Sequence, residues 1–191
     1  MTTGSTTMPG SPGRPNWPGT LGVLAIALFY GFGLPALNRL VPGTAPQPAG
    51  VSVGLGHGVS VVTPAGWSAD VPRMNPGETL ALLNETSSLV ATTFPWQGSE
   101  EEMVERTRRL FESTRRFHLG GTPEPFRTTR GVTGSTSALY GEHADGRVWV
   151  GALPGGKFGF AIRVRSVPGQ GAGAMRDALA LVESLQIKEA K

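Results

Sequence analysis

The chain contains no cysteine. That absence excludes disulfides, thiolate catalysis, zinc–thiolate sites and a lipid-modified cysteine. Lysine is nearly missing too, occurring only at Lys157, Lys188 and Lys191. The other basic residues are arginines, and 17 basic against 14 acidic residues leave a formal net charge of +3. No basic run is interleaved with aromatics, so nucleic acid is not an expected partner. Catalytic frames are also lacking. His57, His118 and His143 form neither H-x-x-x-H nor H-E-x-x-H, and Ser135 and Ser137 follow Gly134 without the nucleophile elbow G-x-S-x-G. Glu100, Glu101 and Glu102 follow Ser99 as a helix cap, not as an acid–base pair. No catalytic residue, cofactor or metal ligand is therefore assigned, and the expectation is a protein that is not an enzyme.

What is present is glycine, proline and a long uncharged run. The 28 glycines, 16 prolines and arginine bias fit a GC-rich genome such as an actinobacterial one. The 191 residues suffice for one domain plus an extra segment. From Pro15 to Asn38 there is no charge; Arg14 precedes the run and Arg39 follows it. Roughly 20 helical residues cross a hydrocarbon core, and this run is long enough. It has no polar face, and its glycines are common in membrane spans. The expected organisation is a disordered cytoplasmic tail over 1–16, a transmembrane anchor over 17–41, a Pro/Gly linker over 42–50 and an extracytoplasmic domain over 51–188. A cleaved signal peptide and a soluble helix are the alternatives. Against cleavage, Pro46 would follow the candidate site Gly43-Thr44-Ala45.

Beyond the linker the periodicity changes. Val51, Val53 and Leu55 alternate, as do Val59, Val61 and Thr63, with Gly56-His57-Gly58 as the turn of a hairpin. Thr79–Leu83 and Ser88–Phe94 predict a second hairpin. Ser99 opens a helix expected to run to about His118, with Met103, Thr107, Leu110, Phe111, Thr114 and Phe117 on its inner face. Phe126–Arg130, Ser135–Glu142, Arg147–Leu153 and Phe158–Val167 read as strands, with Asp145-Gly146 as one connecting turn. A last helix is expected over Gly173–Ser184. Its lead-in, Gly169 to Ala174, matches G-x-G-x-x-A, but no further strand with an acid follows, so a dinucleotide site is not expected. Strands joined by hairpins, with helices between them, give an α+β fold: an N-terminal transmembrane helix plus one antiparallel sheet flanked by helices.

The sequence GVSVVTPAGWS, the mid-chain amphipathic helix, the strand meander and the terminal helix ending in ESLQI resemble the PsbP-like α/β/α sandwich over about Val51 to Lys188. Exported and membrane-anchored actinobacterial proteins often carry such a domain. The resemblance implies no shared catalytic residues; it implies a binding or assembly role at an envelope surface.

Two candidate contacts remain. Arg108 and Arg115, and Arg109 and Arg116, are spaced by seven residues. On one helix they would form a stripe toward an anionic lipid surface or an acidic partner; the plainer reading is a solvated face balanced by Glu105 and Glu112. Trp96, after Pro95, is the expected exposed aromatic contact, whereas Trp67 and Trp149 are expected in the core. The functional reading is a membrane-anchored binding or assembly module, in the bilayer through residues 17–41 and touching an envelope protein partner. A small-ligand- or lipid-binding domain using a sheet–helix groove, and an enzyme without a recognisable motif, are the alternatives.

Overall fold

The computed structural model describes residues 17–34, 43–153 and 157–187. The chain divides into two compact units, Met1–Pro42 and Gly43–Lys191. In the first, helix α1 spans Trp17–Leu28 and continues into a π-helical turn over Phe29–Gly33. The apolar side chains from Leu21 to Phe32 are exposed all round. Among the described residues no helix is long and apolar enough to cross a membrane. The remainder of the expected anchor, including Pro35, and the tail over 1–16 lie outside the described residues.

The second unit is α+β. Its main sheet has eight strands in the order β1-β4-β5-β6-β10-β9-β8-β7. These are β1 Thr44–Pro46, β4 Ser68–Asp70, β5 Thr79–Leu83, β6 Ser87–Pro95, β7 Phe117–Arg127, β8 Thr133–Gly141, β9 Asp145–Ala152 and β10 Phe158–Ser166. Every neighbouring pair is antiparallel. A second, three-stranded sheet joins β2 Ser52–Gly56, β3 Val59–Val62 and β11 Gln186–Ile187. Helix α2 spans Glu100–Ser113 and helix α3 Ala172–Glu183.

Period-two alternation in β6 and β10 gives the sheet two distinct faces. Leu89 and Ala91 of β6, with Phe160, Ile162 and Val164 of β10, point to one side. There they meet Ala174, Ala178, Leu181 and Val182 of α3 and Leu55, Val59 and Val61 of the small sheet. Trp67 and Trp149 belong to this core, and the Trp67 indole N–H donates to Asp177 Oδ2 of α3 at 3.0 Å. The opposite face forms a second core, in which Met103, Val104 and Phe111 of α2 pack with Leu119, Leu139, Val148 and Val150.

The β2–β3 hairpin turns as expected. Gly56, His57 and Gly58 all adopt positive φ, and a Cβ on Gly56 would lie 2.1 Å from the Gly77 carbonyl oxygen. Glycine is obligatory there. Ser99 caps α2 with a full capping box, but the helix stops short of His118. Arg115 takes φ 53°, which breaks the helix, and Phe117 opens β7. Phe117 and Leu119 fit a strand period as well as a helical one, and pairing with β8 decides between them. Within α2, Val104 is buried, whereas Leu110, expected inside, is 66% exposed.

Other expectations are corrected too. Asp145-Gly146 is the start of β9, not a turn. Gly146 is needed because a Cβ would lie 1.9 Å from the Val164 carbonyl oxygen across the sheet. The segment expected as a linker contributes β1, paired through Thr44↔Asp70, Ala45↔Ala69 and Pro46↔Ser68. Proline is tolerated at such a sheet edge. The folded unit therefore begins at Gly43, not at residue 51.

Candidate functional site

Helix α2 covers only part of its face of the main sheet. It packs on β7, β8 and β9. Beside it, the α2-facing side chains of β6 and β10 remain open as the floor of a groove of about 490 Å³. The floor carries Val90, Thr92 and Phe94 from β6 and Ala161 and Arg163 from β10. Met103, Arg106, Thr107, Leu110 and Phe111 of α2 form one wall. The exposure of Leu110 is thereby explained: it rims the groove instead of filling the core.

The groove is apolar along most of its length, with an arginine toward each end. At one end Phe94 and Met103 supply apolar surface, and Arg106, its guanidinium over Trp96, stands on the wall beside them. Toward the other, β10 presents Arg163 and then Arg165 on the same face. The Arg163 guanidinium lies over the Phe111 ring at 5.7 Å, and that of Arg165 over Phe117 at 5.2 Å. Arg165 Nε donates to Ser88 Oγ at 3.3 Å, whereas the buried Nε of Arg163 has no partner. Burial first, then the like charges of Arg165 and Arg73, push Arg163 down to about 10. Burial and then Arg73 lower Arg165. Both stay protonated at neutral pH.

The ion pairs among the described residues use Arg73, Arg108, Arg109, His143 and Arg147. Arg163 and Arg165 are in none of them. Arg73, in a short 3₁₀ turn over Val71–Arg73, pairs with Asp70 at 3.3 Å. Of Arg73, Arg163 and Arg165, whose charges act on one another, only Arg73 has a carboxylate in an ion pair.

The residues singled out from the sequence are placed differently. Arg108 and Arg109 lie on α2 and both approach Glu105, at 3.9 and 3.3 Å. Arg115 and Arg116 follow the end of the helix, so the four do not form one helical stripe. Trp96 is buried at 9% exposure; its indole N–H donates to the Gly98 carbonyl, and Arg106 covers its ring at 5.6 Å. It is not the exposed contact expected from its loop. The groove and its arginines were missed, although Phe160 to Ser166, FAIRVRS, carries the signal: two cations two residues apart on one face of an otherwise apolar strand.

No family model matches the chain, and no curated protein matches it. Solved structures do. Cyanobacterial PsbP (CyanoP) from Synechocystis aligns with a TM-score of 0.51 at 11% identity, covering 69% of this chain and 88% of that one. The Ran-binding protein Mog1p of Saccharomyces cerevisiae aligns with a TM-score of 0.50 at 11% identity, covering 72% of this chain and 94% of that one. At such identity the likeness is one of fold: a PsbP-like α+β arrangement built on a large antiparallel sheet.

Proposed function

We propose that this chain is a non-catalytic binding module that receives its ligand in the groove between α2 and the open part of the sheet. The carrying observation is the groove itself: a largely apolar trough of about 490 Å³, within the range of small-molecule sites, with Arg163 on its floor and Arg106 on its wall. We further propose that residues 17–41 tether the module to a membrane, with the N-terminus cytoplasmic and the domain outside. The uncharged run from Pro15 to Asn38 supports that tether. An envelope protein partner is the second reading. Arg109, Arg115 and Arg116 are exposed and available to an acidic surface, and Mog1p, of similar fold, is a protein-binding protein.

Two experiments test this. Full-length protein should stay in the membrane pellet through alkaline carbonate, and protease added to intact spheroplasts should remove the domain. Release of a shortened soluble form, or protection of the domain, would contradict the tether and its orientation respectively. For the groove, Leu110→Asp should abolish co-purification of bound ligand in native mass spectrometry while leaving the fold intact. Unchanged ligand in that variant would place binding elsewhere.

A further inference from the structure

We infer that the groove takes a single-chain anionic amphiphile: an alkyl chain lying along β6 and β10, with a carboxylate or phosphate head held by Arg163 and Arg165. The inference rests on the groove being the binding site and assigns its ligand chemistry.

Arg163 and Arg165 stand two residues apart on one face of β10, about 7 Å apart by strand geometry. Neither has a carboxylate partner among the described residues. Two like charges held side by side in a partly desolvated place are unfavourable unless an anion joins them. The Nε of Arg163 is a buried donor without an acceptor. The rings of Phe111 and Phe117 hold the two guanidinium planes in place, and such planar forks match carboxylate and phosphate oxygens.

The rest of the groove selects what is attached to that anion. From Phe94 to Val90 the strand advances about 13 Å, past Arg106 on the wall at the Phe94 end and toward Arg163 at the other. The main chain of the floor is already paired: β6 bonds to β5 and β10, and β10 to β6 and β9. The hydroxyls are occupied too. Thr107 donates to the Met103 carbonyl at 2.8 Å, and Thr92 shares a bond with Thr79 at 3.1 Å. A peptide laid here would find arginine donors for a few of its carbonyls but no free main-chain acceptor for its N–H groups. An alkyl chain has no such groups and gains by burial against Val90, Phe94, Met103 and Leu110. Charge complementarity and the paired floor together favour the amphiphile over a peptide.

The test is photolabelling of the full chain in phosphatidylcholine nanodiscs. The probes are diazirine-bearing hexadecanoic acid, its methyl ester and hexadecyl phosphate. The acid and the phosphate should label peptides from β6 and α2, and the methyl ester about tenfold less, the factor expected when charge-assisted hydrogen bonds are lost. Arg163→Gln with Arg165→Gln should lower labelling by the acid to the level of the ester. The comparison of probes on unaltered protein stands even if that variant misfolds. Equal groove labelling by acid, phosphate and ester would keep the groove as a site and overturn the anion assignment. No groove labelling by any probe would overturn the groove itself. Displacement of the acid probe by an acidic peptide, but not by unlabelled hexadecanoate, would give the site to a peptide and overturn the inference.

Discussion

Replacing Arg163 by methionine should make the ligand-free protein more stable. The side chain is flanked by Arg165, covered by Phe111 and left with an unpartnered Nε. A buried unsatisfied donor costs about 1–3 kcal/mol. The guanidinium–ring contact returns about 0.5–2 kcal/mol. Methionine keeps the alkyl bulk over Phe111, gains a sulfur–aromatic contact and removes the repulsion between neighbours. The net expectation is stabilisation by about 1 kcal/mol, or a rise of roughly 2–4 °C in Tm for a chain of this size. The sign with pH is fixed. Because the folded-state pKa is lowered to about 10, the penalty on the charged form is fully present below that pH and is relieved only above it. The gain should therefore be constant across the neutral range. Urea denaturation of delipidated wild-type and variant protein, followed by tryptophan fluorescence, measures it. A loss of more than about 1 kcal/mol would show that Arg163 is held for stability, and the reasoning that it awaits an anion would fail.

Other outcomes are expected on the same footing. Trp67→Phe keeps the buried ring but leaves Asp177 without its donor, and should cost about 1–3 kcal/mol in denaturant titration; Trp67→Ala should cost about 3–5 kcal/mol. Gly56→Ala, which sets a methyl against the Gly77 carbonyl at positive φ, should cost at least about 1–3 kcal/mol by the same assay. A chain begun at Val51 loses β1 and the Pro48 carbonyl that accepts the Thr63 hydroxyl at 2.6 Å. It should unfold earlier and self-associate through the uncovered β4 edge in sedimentation, whereas a chain begun at Gly43 should not. Changing Arg108, Arg109, Arg115 and Arg116 together to Gln should alter stability by no more than about 0.5 kcal/mol per site. Weakened flotation with anionic liposomes in that variant would give those exposed arginines a contact role; unchanged flotation would leave them as solvated charge.

Strand alternation made most of the sheet legible. Thr79–Leu83 falls where it was expected, and β6, β8, β9 and β10 do so within a residue or two at either end. The capping box fixed the start of α2 for a local reason, two reciprocal hydrogen bonds within four residues. Failures came where long-range pairing decides. Thr44–Pro46 and Gln186–Ile187 are too short to show a period, and each is a strand only because a distant partner pairs with it. Phe117 satisfies two periods at once, and β8 resolves the ambiguity. The PsbP-like likeness came from turn and helix-end patterns, which survive at the level of fold. The groove was hidden for a different reason. Leu110 has ideal helical spacing for a core position, and the sequence does not show that the sheet extends past the edge of α2 to leave it at a rim. Arg163 and Arg165 were readable as an irregularity in an apolar strand, but their meaning required knowing which face α2 fails to cover.

The most direct measurement is methionine-methyl NMR of the full chain during titration with hexadecanoate. Met103 lines the groove, whereas Met74 and Met175 pack against the core on the other side of the sheet. The account predicts that the Met103 signal moves in a saturable way while those of Met74 and Met175 stay in place, and that the methyl ester leaves Met103 largely unmoved. A titration that shifts Met74 or Met175 and not Met103, or that shifts none of them, would contradict it.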